Sequence, residues 1–281
     1  MIPVLNGEQH IGDQLAALAR QTYEGEWEVV VADNGCTDRT VEVAKSFRGR
    51  LPELRIADAR ARTGINHARN AGAAEARGDF LAFCDSDDMV TPGWLAALAD
   101  AAAAADIVGG RNEWHELNDP AVVAWRPSPP MTELMTDHGF LPYTSGGNMG
   151  LWRSVASRVG WDESYRFGSS DQEFAWRAQL SGCSVKFAPD ALVQLRFRKT
   201  IRQTARQSYR YGRSAAQLWK DFRHQGIPEP DNRRALRQWG KLAKSVPDLW
   251  ASRERRGNWI RRASFRTGRL VGSLRAGTLV L

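Results

Sequence analysis

Cysteine is scarce in this 281-residue chain, with only Cys36, Cys84 and Cys183. An odd number at wide spacing excludes a disulfide scaffold and the short spacings that bind zinc. It fits a reducing compartment, with the thiols as small apolar fillers. No apolar run approaches the roughly 20 residues needed to span a bilayer. The opening Met1-Ile-Pro-Val-Leu-Asn6 has neither the basic nor the apolar region of a secretory signal, so a cytosolic location is expected. Internal repeats are absent too. Hydrophobic residues at 42% and charged residues at 25% exclude wholesale disorder and fibrous architectures.

Acidic residues are missing from one part of the chain in particular. Residues 1–195 carry 17 Lys and Arg against 27 Asp and Glu, whereas residues 196–281 carry 22 against 5. The overall net charge of +7 therefore hides an acidic body and a basic tail, which we read as a domain over 1–195 and a mainly helical extension over 196–281.

What is present in the body is an alternation of elements. Ile11, Leu15 and Leu18 follow helical spacing, and Glu28-Val-Val-Val-Ala32 reads as a buried strand running into the turn Asp33-Asn-Gly35. Thr37-Asp38 is placed to cap a helix from Arg39 to about Phe47. A strand near Leu54 to Ile56, a helix from Asn66 to Ala76 and a strand from Asp79 to Cys84 follow. A helix from Trp94 to Ala105, opened by Pro92, completes the series. This order predicts an α/β fold with a mostly parallel sheet flanked by helices and a ligand site at the carboxyl ends of its strands. The first strand, Ile2 to Leu5, is short for such a sheet, through either an earlier start or a frayed edge. Arg126-Pro-Ser-Pro-Pro130 and Ser145-Gly-Gly-Asn148 suit loops beside a site. Beyond Ile201, two or three helices are expected, broken near Gly226 to Pro230 and at Val246-Pro247.

Three acidic groups carry candidate chemistry. Asp85-Ser86-Asp87-Asp88 follows an apolar strand. Crowded carboxylates repel unless a cation sits among them, and hard oxygen ligands favour Mg²⁺ or Mn²⁺. A polar turn capping the next helix is the alternative. Asp33, at the end of its strand, has the position of carboxylates that accept from a nucleotide's base or ribose, or it simply forms the turn. Asp171, in Gly168-Ser-Ser-Asp-Gln-Glu173, is placed at a helix start, as a general base or as an ordinary N-terminal acid. Gly146, Gly147 and Asn148 can shape an acceptor wall, because glycine permits close backbone approach. His67 and His138 read as structural or surface histidines.

In this order, Ile2-Pro-Val-Leu-Asn6, Val29-Val-Val-Ala-Asp33-Asn-Gly-Cys-Thr-Asp38, Ala68-Arg-Asn-Ala-Gly72, Asp85-Ser-Asp-Asp88 and Ser170-Asp-Gln-Glu-Phe-Ala-Trp-Arg177 resemble the motifs of family 2 glycosyltransferases. Five ordered motifs are far more specific than any one of them, and they cover about residues 2–195. The resemblance implies the GT-A fold, a nucleotide-sugar donor, a divalent cation and inversion at the anomeric carbon. Carried over position by position, Asn6 and Asp33 would contact the nucleotide and Arg69 would lie near the donor phosphates. Asp85, with Ser86, would hold the ribose and help place the metal, and Asp87 would be the metal ligand. Asp171 would be the base for the acceptor hydroxyl, beside Gly147 and Asn148. The sequence departs from the pattern in having Ser170 before the base and Cys36 for a common Ser, and it lacks a late His around Leu192 to Arg196.

Gln207-Ser-Tyr-Arg210-Tyr211 is similar to the Gln-x-x-Arg-Trp signature of processive synthases, with Tyr last; we read it as a solvated helix face. In the tail, Trp259, Ile260, Ala263, Leu270, Val271 and Leu274 share a helical face, among Arg255, Arg256, Arg261, Arg262, Arg266 and Arg269. That pattern suits adsorption to an anionic membrane, at the inner face, with a saccharide or lipid-linked acceptor. Packing against the acidic body is the alternative. Nucleic-acid binding through the basic, aromatic tail leaves the ordered acidic motifs without a role. A nucleotidyltransferase would need a glycine- and basic-rich triphosphate loop near the N-terminus, which is absent.

Overall fold

The computed structural model describes residues 1–137, 139–278 and 280; the His138 of the sequence reading lies outside them. The elements of the body are β1 (Ile2–Val4), α1 (Ile11–Leu18), β2 (Val29–Asp33), α2 (Thr40–Lys45), β3 (Leu54–Asp58), α3 (Ile65–Glu75), β4 (Phe80–Cys84), β5 (Met89–Val90), α4 (Trp94–Ala102), β6 (Ile107–Glu113), α5 (Pro120–Ala124), β7 (Asn148–Trp152), α6 (Arg153–Val159), α7 (Ser170–Leu180) and β8 (Val185–Gln194). The tail adds α8 (Ile201–Phe222), α9 (Asn232–Lys244), α10 (Asp248–Ala251) and α11 (Arg253–Ala276).

β1, β2 and β3 are parallel neighbours, with Val31 opposite both Ile2 and Ile56. The second sheet runs β4-β7-β6-β8-β5 and is mixed: β7 is antiparallel to β4 and to β6, β8 is parallel to β6, and β5 is antiparallel to β8. The parallel arrangement expected from the βα alternation thus holds for the first three strands, and the antiparallel pairings enter after β4. The short first strand is no frayed edge. The Met1 amino group donates to the Ala82 carbonyl at 2.6 Å, and the Cys84 amide donates to the Met1 carbonyl at 3.2 Å. These bonds seat β1 between β2 and β4 and join the two sheets.

The core follows from strand composition. Val29, Val30, Val31 and Ala32 are at most 2% exposed, as a strand covered on both faces requires. Ile11, Leu15 and Leu18 of α1 and Trp94 and Leu98 of α4 pack on one side. Phe83, Met149, Trp161 and Phe174 pack on another, with the rings of Trp161 and Phe174 stacked at 4.4 Å.

The expected start of α2 moves by a residue. Its helical residues begin at Thr40, whose amide donates to the Asp38 carboxylate at 3.1 Å, so Asp38 still serves an orphan amide of the first turn. The tail breaks where Gly226 to Pro230 and Pro247 predict, but among the described residues it forms four helices because a short one, α10, separates α9 from α11. α11 packs along α8 nearly backbone to backbone. A Cβ on Gly268 would lie 2.0 Å from the Tyr209 carbonyl oxygen, and one on Gly272 would lie 2.4 Å from that of Arg213. Among the readings of the basic segment, the structure therefore has it packed on the protein. The packed side is the small-residue side, Gly257, Gly268, Gly272, Ser273 and Ala276, and the expected apolar face is left partly outward, with Leu274 75% exposed.

Candidate active site

Four segments meet at the carboxyl end of β4. Asp85 follows Cys84 directly, and Cys84 lies opposite Asn148 across the antiparallel β4/β7 pair. That register places Gly147 against Asp85, where a Cβ would be 2.6 Å from the carboxylate. Arg69 reaches in from α3. It is only 2% exposed, and its Nη1 donates to Asp171 Oδ1 at 2.8 Å while Nη2 stands 3.8 Å from Asp85 Oδ1. Asp171 occupies the first turn of α7, after Ser169 in the left-handed region at φ +57°. Gly146 completes the floor, since a Cβ there would lie 2.3 Å from Arg69 Nη2 and 2.5 Å from Asp171 Oδ1. The Gly-Gly pair is thus required for Arg69, Asp85 and Asp171 to come together.

Two clefts open on this floor. The first, about 910 Å³, is lined by Asn6, Gly7, Asn34, Gly64, Asp85, Ser86 and Asp87, with the basic Arg166, Arg196, Arg198, Lys199 and Arg210. The second, about 720 Å³, holds Arg69, Asp85, Tyr143, Ser145, Asp171 and Gln172, with Gln203, Arg206, Gln207, Arg210 and Tyr211 of α8 and Phe265 of α11. Asp85, Arg166, Phe167, Arg198 and Arg210 line both. Both clefts are basic, with five Lys or Arg side chains lining each, and Asp85 stands at their junction.

The acidic turn is held by the segment leaving β8. The Arg196 amide donates to Asp88 Oδ1 at 2.7 Å, its Nε to the Asp87 carbonyl at 2.9 Å, and Arg198 Nη1 to Asp87 Oδ2 at 2.9 Å. Asp88 is 4% exposed, and burial, with the neighbouring carboxylates of Asp85 and Asp87, pushes it well above the usual carboxylate range. Asp88 is therefore committed to the turn. Asp85 is pushed up to about 6, chiefly by burial and against the pull of Arg69. Its Oδ1 is buried without a hydrogen-bond partner.

That orphaned oxygen is the feature that tests for a cation. A hard divalent ion needs few protein ligands when diphosphate oxygens supply the rest, and Asp85 with Asp87 fits that requirement. Among the described residues no cluster of three or more His, Cys, Asp or Glu forms a cage.

The sequence-predicted residues divide. Asn6, Asp85, Ser86 and Asp87 line the first cleft, and Arg69, Asp85 and Asp171 the second. Asp33 uses Oδ1 to accept from the amides of Gly35 and Cys36 at 3.1 and 2.8 Å, and it lies outside the lining of either cleft. Asn148 requires a correction: it is fully buried. Its Oδ1 accepts from Trp94 Nε1 at 2.8 Å, and its Nδ2 donates to the carbonyls of Arg111 and Ala191 and to Asn112 Oδ1. Nothing of Asn148 is left for a substrate; it ties β7 to β6, β8 and α4. His67 has a structural partner in Glu163, at 3.0 Å.

The second correction concerns the tail. Gln207, Arg210 and Tyr211 line the second cleft, with Tyr211 still 46% exposed, so the face is solvated but belongs to the site, and Gln207 Nε2 donates to the Tyr211 hydroxyl at 3.1 Å. The Gln-Ser-Tyr-Arg-Tyr spacing was the available signal. Phe167 gave none: it is 42% exposed where the clefts meet, with the guanidinium of Arg210 4.6 Å from its ring.

The sequence profile described as Glycosyl transferase family 2 matches residues 1–160, and that described as Glycosyl transferase family group 2 matches residues 128–266. Glycosyltransferase AglE of Haloferax volcanii is 27% identical over 222 residues, 78% of this chain and 73% of that one. The poly(ribitol-phosphate) beta-N-acetylglucosaminyltransferase TarS of Staphylococcus aureus is 34% identical over 108 residues, 38% of this chain but only 18% of TarS. Among solved structures, the mannosyltransferase PcManGT of Pyrobaculum calidifontis, in complex with GDP-Man and Mn²⁺, superposes with a TM-score of 0.61 over 99% of this chain and 75% of that one at 19% identity. S. aureus TarS 1-349 in complex with UDP-GlcNAc gives 0.54 over 99% and 91%, at 17%. The structural likenesses establish the fold and the profile match the family: the chain belongs to glycosyl transferase family 2, a glycosyltransferase of GT-A fold.

Proposed function

We propose that the protein transfers a sugar, with inversion, from a nucleotide-sugar donor in the first cleft to the hydroxyl of a saccharide or lipid-linked acceptor in the second. The observation that carries the reading is Arg69, buried and bridging Asp171 on the acceptor side and Asp85 on the donor side. The UDP-GlcNAc and GDP-Man complexes of the structural neighbours support a nucleotide-sugar donor.

In this reading Asp171 is the base. Arg69 occupies Oδ1 and fixes the carboxylate's orientation, which leaves Oδ2 to take the acceptor hydroxyl's proton as the acceptor oxygen attacks the anomeric carbon. The C–O bond to the diphosphate breaks on the opposite side, and the departing nucleoside diphosphate develops negative charge that Arg166, Arg198 and Arg210 face. Asp85 and Asp87 would hold a Mg²⁺ or Mn²⁺ ion, whose chemistry when bound is to neutralise that leaving group. The Mn²⁺ complex of the mannosyltransferase neighbour supports this assignment. Ser86 and Asn6 line the first cleft, where they would contact the nucleotide. Asp33, which holds its own turn, keeps at most a base contact through its second oxygen.

Asp171→Asn tests the reading. The amide keeps the size of the side chain but cannot take a proton, so turnover should fall by about 10² to 10⁴ while donor binding is retained. A screen of UDP-, GDP- and dTDP-sugars with and without Mn²⁺ identifies the donor to use. Transfer at near wild-type rate would return Asp171 to a purely structural place in α7.

A further inference from the structure

Outside the active site, the tail contains a second concave and strongly basic feature. A pocket of about 290 Å³ between α9 and α11 is lined by Arg261, Arg262, Arg266 and Arg269, with Ala235, Gln238, Trp239 and Phe265. Four guanidinium groups within nine residues of one helix repel one another. Among the described residues no carboxylate forms an ion pair with any of them; the ion pairs of α9 and α11 are made by Arg237, Arg253 and Arg255. Arg266 and Arg269 each bury an Nε–H that has no acceptor. Where the cluster does find partners, they are neutral. Arg261 Nε donates to the Trp125 carbonyl, Arg266 Nη1 to the Arg262 carbonyl and Arg266 Nη2 to Gln238. Burial first, and then the neighbouring guanidinium groups of Arg126, Arg262 and Arg266, pulls Arg261 down to about 10. Charges removed from water without counter-charge are costly, and an unmet buried donor adds to that cost. An anion bound in the pocket would remove both penalties.

We propose that this pocket binds a phosphate group, either free or as the headgroup of an anionic lipid. The chemistry selects phosphate because several guanidinium forks converge on one small volume, and each can give paired N–H donors to tetrahedral oxygens. Trp239 and Phe265 supply apolar walls that exclude water from those bonds. Because Phe265 also lines the acceptor-side cleft, an anion here sits behind that cleft's wall and draws α9 onto α11. The site is separate from the donor cleft and does not depend on the transferase reading.

The test compares the intact protein with Arg262→Gln/Arg266→Gln and with an equal-charge control, Arg233→Gln/Arg234→Gln, altered at exposed positions of α9. Each is titrated calorimetrically with inorganic phosphate and sedimented with vesicles of phosphatidylglycerol or of phosphatidylcholine. The pocket variant should lose at least about tenfold in affinity relative to the control, because two charge-assisted contacts are removed. A loss with both probes assigns the site to phosphate itself; a loss with phosphatidylglycerol vesicles alone assigns it to a lipid headgroup. Arg269→Lys, which keeps the charge but not the fork, should fall in between and guards against misfolding of the double variant. Equal binding by pocket variant and control, with both probes, overturns the proposal. Donor binding, measured in parallel, should be the same in all variants, so failure here is distinct from failure of the catalytic reading.

Discussion

Arg69 Nη1 donates to Asp171 Oδ1 at 2.8 Å from a position only 2% exposed. The two residues are 102 apart in sequence, on α3 and on α7, and the bond fixes the carboxylate assigned to the acceptor. Removing the guanidinium leaves Asp171 free to rotate and Asp85 without its nearest cation. Arg69→Ala should therefore lower kcat/KM by about 10² or more, since loss of orientation alone reaches that size. Arg69→Lys should recover little, because one ammonium cannot serve both carboxylates through a planar fork. Steady-state kinetics on both variants check this, and near-normal turnover of the Lys variant would show that charge without geometry suffices.

The glycine floor gives a sharper test of geometry. A Cβ at Gly146 would meet first the ends of the Arg69 and Asp171 side chains, at 2.3 and 2.5 Å. Gly146→Ala should consequently fold with a small change in thermal midpoint, while the pair is pushed apart and turnover falls by about 10²-fold. A variant with normal activity would show that the pair has slack. One that fails to fold would show that the loop backbone, not the side chains, must yield.

Much of this was legible in the chain. The βα alternation through Val29 to Cys84 made β2, β3 and β4 readable, because buried strands and amphipathic helices leave local periodicities. Asp85, Asp87, Asp171 and Arg69 were legible as ordered motifs. What was not legible depends on partners distant in sequence. Nothing local to Asn148 says that Trp94, Arg111 and Ala191 will consume its amide. Likewise the Gln207 to Tyr211 face looks merely solvated until the cleft from α7 is laid against it. The tail misled for a related reason. Its apolar residues drew the eye to one face, whereas the helix packs through glycines, whose contribution is close approach and not hydrophobic area.

Asp85 predicts a pH signature. Burial raises its pKa to about 6, above the ordinary 3.8, while a third of the side chain still faces the cleft. A raised carboxylate favours the fold in its neutral form, so its contribution is complete below about pH 4 and is lost as pH rises through 6. In chelator-containing buffer, Asp85→Asn should gain thermal stability relative to the wild type across pH 4 to 7 and level off above. An advantage that did not vary with pH would show that Asp85 is not held against ionisation.

On the proposed cation assignment, Arg198 would compete with the ion for Asp87. Its Nη1 lies 2.9 Å from Asp87 Oδ2, in the stretch just after β8 where the sequence lacks a metal-binding histidine. Arg198→Gln should strengthen donor-free Mn²⁺ binding, measured by electron paramagnetic resonance, by a few-fold, and Asp87→Ala should abolish it. Donor affinity should fall in both, since Arg198 also lines the first cleft, the proposed donor site. Mn²⁺ binding indifferent to both changes would remove the cation from Asp87.

The packing of α11 decides what truncation of the tail does. Residues from Gly257 onward cover Trp125, which is 1% exposed, and a Cβ on Gly257 would lie 2.2 Å from its ring. Arg261 and Asn258 both donate to the Trp125 carbonyl. Val280 is buried against Ser273, whose hydroxyl donates to the Val280 carbonyl at 2.6 Å. Phe265 lines the second cleft directly. Deleting residues 257–281 should therefore lower the thermal midpoint or cause aggregation, and it should abolish transfer even to a short soluble acceptor, unlike loss of a detachable membrane anchor. Gly268→Val separates packing from deletion. Its Cβ would lie 2.0 Å from the Tyr209 carbonyl oxygen, so α8 and α11 must part, and a cost of about 1 to 3 kcal/mol is expected from overpacking. Turnover should fall with it, because Gln207, Arg210 and Tyr211 ride on α8. Leu274→Asp, at a position 75% exposed, should leave the midpoint unchanged. If that variant sheds vesicle binding while stability and soluble transfer persist, the outer face of the same helix contacts membrane. Full activity after deletion of residues 257–281 would instead show that α8 holds its place without α11.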